Sequence, residues 1–257
     1  MKHKNQIVKY ILSAVIILSL LILVVTSYKQ IGRMQATKRL ESLQELRSDS
    51  MNQDPEENRI YSTTVNPEES KIYSTAPNPQ KKWIEMNSDY QGWIRVDDTI
   101  IDFPVVKAKD NVYYLDRDFF KDYSAAGSIF MDYRNTGSFK DRHTVIYGHY
   151  QSSGLMFADL HKFKDYEFAS EHTISFDSLY KEKEFTVFSV YIDSADNAQL
   201  KLRFDDDESY ENYLKEITEG SMYEFDVDVN ADKLLLTLAS CSFEIDNGRI
   251  IIHAIEK

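Results

Sequence analysis

Three hydrophobic patterns divide the chain. Residues 10–25 are apolar except for Ser13 and Ser19, and Lys2, Lys4 and Lys9 precede them. That is the charge order of a signal sequence or of an anchor whose N-terminus stays inside. The run is short for a spanning helix of roughly 20 residues, and Ile7, Val8 and Thr26 extend it. No Ala-x-Ala cleavage site follows, so an uncleaved anchor over residues 10–26 is expected, with residues 1–9 cytoplasmic and the body outside. Residues 34–51 place Leu40, Leu43 and Leu46 at helical spacing, which predicts a helix serving as a stalk or lying on the domain. Residues 52–82 lose all periodicity. They carry a degenerate repeat, Arg59-Ile60-Tyr61-Ser62-Thr63 and Lys71-Ile72-Tyr73-Ser74-Thr75, each unit followed by Asn-Pro. Two units are too few for a solenoid, so residues 27–82 read as a juxtamembrane helix and a flexible tether.

From Trp83 onward the pattern changes to short alternating runs. Residues 93–96, 101–106, 128–131, 144–147, 173–176, 184–192, 233–240 and 249–255 read as strands. Helices are expected over residues 82–87, 156–163 and 209–219, with Asp110-Asn111 as a further helix start. In the helix over residues 209–219, Tyr210, Tyr213, Leu214 and Ile217 share one side and Gly220 stops it. Many short strands with few helices between them predict a mainly β fold with accessory helices, a closed or nearly closed barrel over residues 83–257. A doubly wound parallel sheet would separate its strands regularly with helices.

Charge narrows the partners. Residues 83–257 hold 18 Lys and Arg against 34 Asp and Glu, whereas residues 1–82 hold 12 against 8. So acidic a body excludes a nucleic-acid binder, because phosphate contacts need basic groups. With one cysteine there is no internal disulfide, and the fold must stand on its core.

That cysteine carries the candidate chemistry. Cys241 ends the strand Leu234-Leu235-Leu236-Thr237-Leu238-Ala239-Ser240, and Asn247-Gly248 supplies a turn before Arg249-Ile250-Ile251-Ile252. Such a hairpin brings Cys241 and Arg249 together across its mouth, where a guanidinium shifts the thiol toward the reactive thiolate. The competing reading is a buried small hydrophobe among leucines. A nucleophilic cysteine needs a base or an electrostatic partner, usually histidine. His149 follows a strand and Gly148, which leaves its imidazole at a strand mouth. His161, His172 and His253 read as packing or surface residues, and His143 as part of a polar turn.

The combination Tyr147-Gly148-His149, Thr237-Leu238-Ala239-Ser240-Cys241 and Arg249 resembles the active-site signature of sortases. The resemblance spans residues 83–257. Trp93-Ile94, Ile101-Asp102-Phe103-Pro104-Val105-Val106, Asp110-Asn111 with Tyr114-Leu115, Asp132-Tyr133-Arg134-Asn135 and the helix over residues 209–219 extend it to class B sortases. Ala239 departs from the family pattern, which commonly has a hydroxyl residue there, and Ser240 stands where Thr is usual.

The resemblance implies a closed eight-stranded sortase-like barrel behind an N-terminal membrane helix and stalk, exposed on a Gram-positive cell surface. It implies that Cys241 attacks the Thr carbonyl of an Asn-Pro-x-Thr-like sorting signal and that His149 protonates the departing amine. Arg249 would hold the oxyanion or the substrate backbone, and Asn111, Leu115, Tyr147 and Ser240 would line the groove. The acceptor would be an amine of a peptidoglycan precursor or a pilin. No cofactor and no metal are expected. Asp205-Asp206-Asp207, the acidic run that could hold calcium, reads as a solvated loop. The alternatives are a cell-surface cysteine endopeptidase and a non-catalytic surface binding barrel.

Overall fold

The computed structural model describes residues 2–53, 80–137, 139–151, 154–179, 181–194, 200–242 and 248–257. Eight strands close into a barrel in the order β1-β2-β3-β4-β7-β8-β6-β5. They are β1 (Tyr90–Val96), β2 (Asp102–Val106), β3 (Ile129–Met131), β4 (His143–Tyr147), β5 (Thr173–Ser178), β6 (Glu182–Ser194), β7 (Leu235–Ser242) and β8 (Gly248–Glu256). Pairing is antiparallel except between β2 and β3 and between β4 and β7. Every strand anticipated from the alternating pattern is present, with bounds that differ by a few residues.

Strand alternation gives the barrel two different faces. The inward side chains form one continuous core, including Ile94, Val105, Ile129, Ile146, Leu238 and Ile252. The outward apolar residues fall into three separate patches, each under its own cover. Phe188, Leu235 and Ile255 lie beneath α4 (Asp207–Glu219), which presents Tyr210, Tyr213, Leu214 and Ile217 as its spacing predicted. Asp206 caps that helix in a reciprocal box with Ser209. Val145, Ala239 and Ile251 are covered by Leu200 and Leu202. The third patch, with Trp93 and Tyr90, is aromatic and lies beneath the N-terminal region.

The N-terminal region forms one continuous helix, α1 (Lys2–Gln53), about 78 Å long at 1.5 Å per residue. Its apolar first part is long and apolar enough to cross a membrane, and that window is fully exposed. Its second part lies on the barrel. Leu43 is 1% exposed within the aromatic patch, Gln44 donates to the Asp102 carbonyl at 2.9 Å, and the Arg47 guanidinium stacks 4.6 Å over Trp93. Of the two placements open to residues 34–51, the structure shows the helix lying on the domain. The flexible tether falls mostly on residues 54–79, outside the described residues. The described residues continue from Gln80, whose side chain donates to Asp177 at 2.8 Å and accepts from the Tyr90 hydroxyl at 2.8 Å, ahead of α2 (Lys81–Met86). The helix expected over residues 156–163 is a 3₁₀ helix, Ala158–Lys164, and a short helix not anticipated, α3 (Tyr166–Glu171), follows it.

His143 is not in a turn. It opens β4 and is fully buried, as is His253 on β8. Burial, partly opposed by a bond to the Lys201 carbonyl, holds the His143 imidazole down to about 4. Burial and the neighbouring His143 hold His253 well below its ordinary value. The unfolded chain therefore takes up these protons first, near pH 6.5. Stability should fall as pH drops from about 6.5 toward 4, by about 1.4 kcal/mol per pH unit for each histidine. Urea midpoints measured near pH 7.5, 6 and 5 check this, and a flat midpoint across the window would contradict burial in the neutral form.

Candidate active site

Three strand ends build the site. Strand β7 pairs with β8 so that Cys241 and Arg249 are Cα partners. On its other side β7 runs parallel to β4, with Tyr147 opposite Ala239. The Gly148 N–H still bonds the Ala239 carbonyl at 3.2 Å, and continuing that register levels His149 with Cys241. The residues expected to act together thus meet at one mouth of the barrel, although 92 positions separate His149 from Cys241. Strand β6 adds a neighbour not anticipated, since Asp193 is the Cα partner of Arg249 on the far side.

Glycines fix the position of the imidazole. A Cβ at Gly148 would fall 2.4 Å from Ile129 Cδ1 and 2.7 Å from Phe157, inside the core. With no side chain on Gly148, Tyr147 and His149 can both turn outward. Gly127 has φ +64°, and a Cβ there would meet the Leu115 carbonyl at 2.7 Å and His149 Cδ2 at 3.1 Å. The imidazole is half-buried, with Nε2 donating to the Leu115 carbonyl at 2.7 Å. A carbonyl acceptor requires a proton on Nε2, so proton exchange by the neutral ring falls to Nδ1.

Beside this centre lies a polar cluster around Asp132, which is 0% exposed. Arg134 grips the carboxylate with two bonds, Nε to Oδ1 at 2.9 Å and Nη2 to Oδ2 at 2.8 Å. Asn111 and the Tyr147 hydroxyl each donate to Oδ2 at 3.0 Å. Burial would raise the carboxyl, but the Arg134 bonds, with Asn111, more than offset it and hold it below the usual range. Burial and the Asp132 charge push the Tyr147 phenol up. Asn111 also accepts from the Tyr133 N–H at 3.0 Å, so its side chain is oriented on two sides. Asp132 and Arg134 entered the sequence reading only within a stretch resembling class B sortases, with no role in the site. The signal available was a carboxylate and a guanidinium two residues apart, flanking a strand end.

Tyr147, Leu200, Leu202 and Tyr213, with Tyr133 and Arg134, line a groove of about 1090 Å³ on the outer face. Ala239 belongs to the same apolar patch as Tyr147, Leu200 and Leu202. Leu115 is 37% exposed beside the imidazole. Ser240 was expected in the groove, and the structure places it elsewhere. It is the Cα partner of the core residue Ile250, is 1% exposed, and its hydroxyl has no hydrogen-bond partner among the described residues. Strand alternation is the reason: Ala239 takes the outer face with Val145 and Ile251, so Ser240 takes the inner one. Among the described residues no group of His, Cys, Asp and Glu could hold a metal ion.

Such a barrel, with cysteine, histidine and arginine at the ends of adjoining strands, has known relatives. The sortase domain matches residues 94–257, and the chain belongs to the sortase family, whose members are cysteine transpeptidases. Its relatives are sortase B proteins. Sortase B of Listeria monocytogenes is 39% identical over 172 residues, 66% of this chain and 70% of that protein. Sortase B of Staphylococcus aureus is 31% identical over 173 residues, 66% and 71% of the two chains. Among solved structures, a Staphylococcus aureus sortase B–substrate complex superposes with TM-score 0.74 at 26% identity, covering 88% of this chain and 98% of that one. Clostridium perfringens sortase B gives 0.67 at 37% identity, covering 69% and 99%.

Proposed function

We propose that this sortase cleaves a C-terminal Asn-Pro-x-Thr-like sorting signal and joins the Thr carboxyl to a cell-wall or pilin amine. The supporting observation is the register that sets Cys241 opposite Arg249 and level with His149. In the first half-reaction the Cys241 sulfur bonds the Thr carbonyl carbon, and the bond from that carbon to the following nitrogen breaks. His149 delivers a proton to the departing amine. In the second half-reaction an incoming amine attacks the thioester, gives its proton to His149, and releases Cys241. Arg249 stabilises the oxyanion of both tetrahedral intermediates, with no cofactor in either half. Asn111, Leu115 and Tyr147 contact the peptide, and Asp132 and Arg134 hold two of them in place.

The anchor reading completes the proposal. Residues 10–26 span the membrane, residues 1–9 stay inside, and the catalytic domain works at the outer surface, docked on the continuation of the same helix. The test is turnover of a panel of sorting peptides by the full chain in detergent, followed by mass spectrometry with and without an added amine such as triglycine. Amide product with the amine present is expected. Hydrolysis alone, unchanged by amine, would favour a cell-surface cysteine endopeptidase, and no reaction with any peptide would favour a binding barrel.

A further inference from the structure

Four strands of the outer face carry a run of buried polar groups that the reaction does not use. The Tyr191 hydroxyl lies 3.1 Å from His253 Nε2, and His253 Nδ1 lies 2.6 Å from Thr237 Oγ1. Thr237 Oγ1 lies 2.6 Å from His143 Nε2, and His143 Nδ1 lies 2.6 Å from the Lys201 carbonyl. His143, Thr237 and His253 are all 0% exposed. Thr237 sits on the same face as Ala239, two residues nearer the start of β7 and roughly 7 Å away, and it stands four positions before Cys241 in the chain.

The direction of every bond follows from the two ends. A carbonyl only accepts, so His143 Nδ1 carries the proton and Nε2 of the neutral ring must accept. The Thr237 hydroxyl therefore donates to His143. Having spent its one proton, Thr237 accepts from His253, which puts the His253 proton on Nδ1. His253 Nε2 then accepts from Tyr191. Four bonds point one way, from Tyr191 to Lys201, with each internal donor and acceptor used and both rings neutral. An extra proton on His143 would require the Thr237 hydroxyl and the His253 tautomer to reverse, and one on His253 would require Tyr191 to accept, so either change breaks the single direction of the chain. Burial holding both imidazoles below their ordinary range agrees with this assignment.

The end of the chain is where it bears on function. Lys201 lies between Leu200 and Leu202, which cover Val145, Ala239 and Ile251 and line the groove beside Tyr147. Residues 200–203 carry no strand pairing of their own. The Lys201 backbone also bonds Tyr213 of α4, whose phenol burial raises to about 12 despite that bond. A wall segment without a ladder is thus held to the sheet by side chains.

We propose that Tyr191, His253, Thr237 and His143 form a directed hydrogen-bond chain that positions the Leu200–Leu202 wall of the substrate groove. Thr237 is the central positioning residue. It gives the threonine four residues before the nucleophile a role in peptide binding, whereas the chemical step belongs to the strand ends. This rests on the sortase reading of the groove, but its geometry is testable without turnover.

In the full chain in detergent, labelled with ¹⁵N-histidine, His143 and His253 should both show the Nδ1–H tautomer, with Nε2 unprotonated. An Nε2–H tautomer at either residue would overturn the directed chain, and this readout needs no variant to fold. In Thr237→Val, hydrogen exchange of the Lys201 amide, which the Tyr213 phenol holds, should speed up at least about tenfold while the β1, β2 and β5 amides stay protected, since the bond between sheet and wall loses its middle link. Unchanged exchange at the wall would refute the positioning role whatever the enzyme does. With a sorting peptide that the wild type turns over, Thr237→Val should raise KM about tenfold with kcat within about twofold, and Thr237→Ser should restore KM. A fall in kcat at constant KM, or no rescue by serine, would count against it. Failure of the wild type on every peptide would instead strike the functional reading, leaving the tautomer and exchange results to judge the chain.

Discussion

Cys241→Ala should abolish thioester formation with any sorting peptide, and His149→Ala and Arg249→Ala should each cost orders of magnitude while the barrel melts normally. The sulfur has no substitute, because no other cysteine exists in the chain. An unperturbed thiol with pKa near 8.5 is only a few per cent thiolate at neutral pH, so the proposed mechanism needs the guanidinium one strand away and the imidazole level with it. Positioned general acid–base transfer is worth roughly 10²–10⁴-fold, which is the loss expected for His149→Ala. An oxyanion donor is worth about 10²–10³-fold, which bounds Arg249→Ala. Arg249→Lys should recover little, since a point charge does not reproduce the planar fork. Single-turnover acylation followed by intact-protein mass spectrometry reads all four variants. Wild-type acylation in His149→Ala would end the assignment of that residue as the proton donor.

The split between these variants and those around Thr237 is a consequence of how the barrel is built. The residues proposed to react stand at strand ends, where the backbone is free to present side chains. The groove floor and its anchors lie within the strands, where each outward side chain has a fixed neighbour. Loss at an end should appear in kcat, and loss in the anchoring chain in KM. Asp132, although it lies just past the end of β3, should behave as the second kind. It touches Asn111, Tyr147 and Arg134 and is itself fully buried.

What could be read from the sequence was what lies close along the chain or repeats with a simple period. The strands followed from alternation, α4 from the spacing of Tyr210, Tyr213, Leu214 and Ile217, and the pairing of Cys241 with Arg249 from a turn signal between them. The displacement of Ser240 to the inner face was equally legible, since Thr237, Ala239 and Cys241 must share a face. What escaped was set by partners distant in sequence. His143 meets Lys201 58 residues away and Thr237 94 residues away, while its own neighbours, Asp141 and Arg142, are polar and suggested a turn. Asp132 and Tyr147 meet only because β3 and β4 pair. The leucine spacing of residues 34–51 announced a helix wanting a surface, but the surface is a patch of Trp and Tyr side chains whose outward direction depends on the barrel closing.

That docked helix carries the second large effect. A chain beginning at residue 34 should be monodisperse, whereas one beginning at residue 54 should melt roughly 10 °C or more lower and tend to aggregate. Removing residues 34–53 takes Leu43 out of a cluster with Trp83, Tyr90, Trp93 and Phe119. Truncating a buried leucine alone costs about 2–5 kcal/mol, and about 1 kcal/mol moves Tm by roughly 2–4 °C in a domain of this size. The electrostatic contacts decide less. Burial lowers the Arg47 pKa and raises that of Asp177, so this pair at 3.8 Å is poorly compensated. Arg39 joins Asp118 and Asp122 at the surface, where ion pairs contribute about 0–1 kcal/mol. The apolar seam should therefore dominate, and Leu43→Asp in the longer chain should reproduce most of the truncation. Activity should fall with it. The segment Arg39 grips, Asp118 to Asp122, is bonded back through Ser124 to Asp116, next to the Leu115 carbonyl that holds His149. Scanning calorimetry and peptide turnover on the two truncations and Leu43→Asp make the comparison. Equal Tm and equal kcat for the chains beginning at residues 34 and 54 would show that the barrel needs no cover from α1 and that the helix serves only to tie it to the membrane.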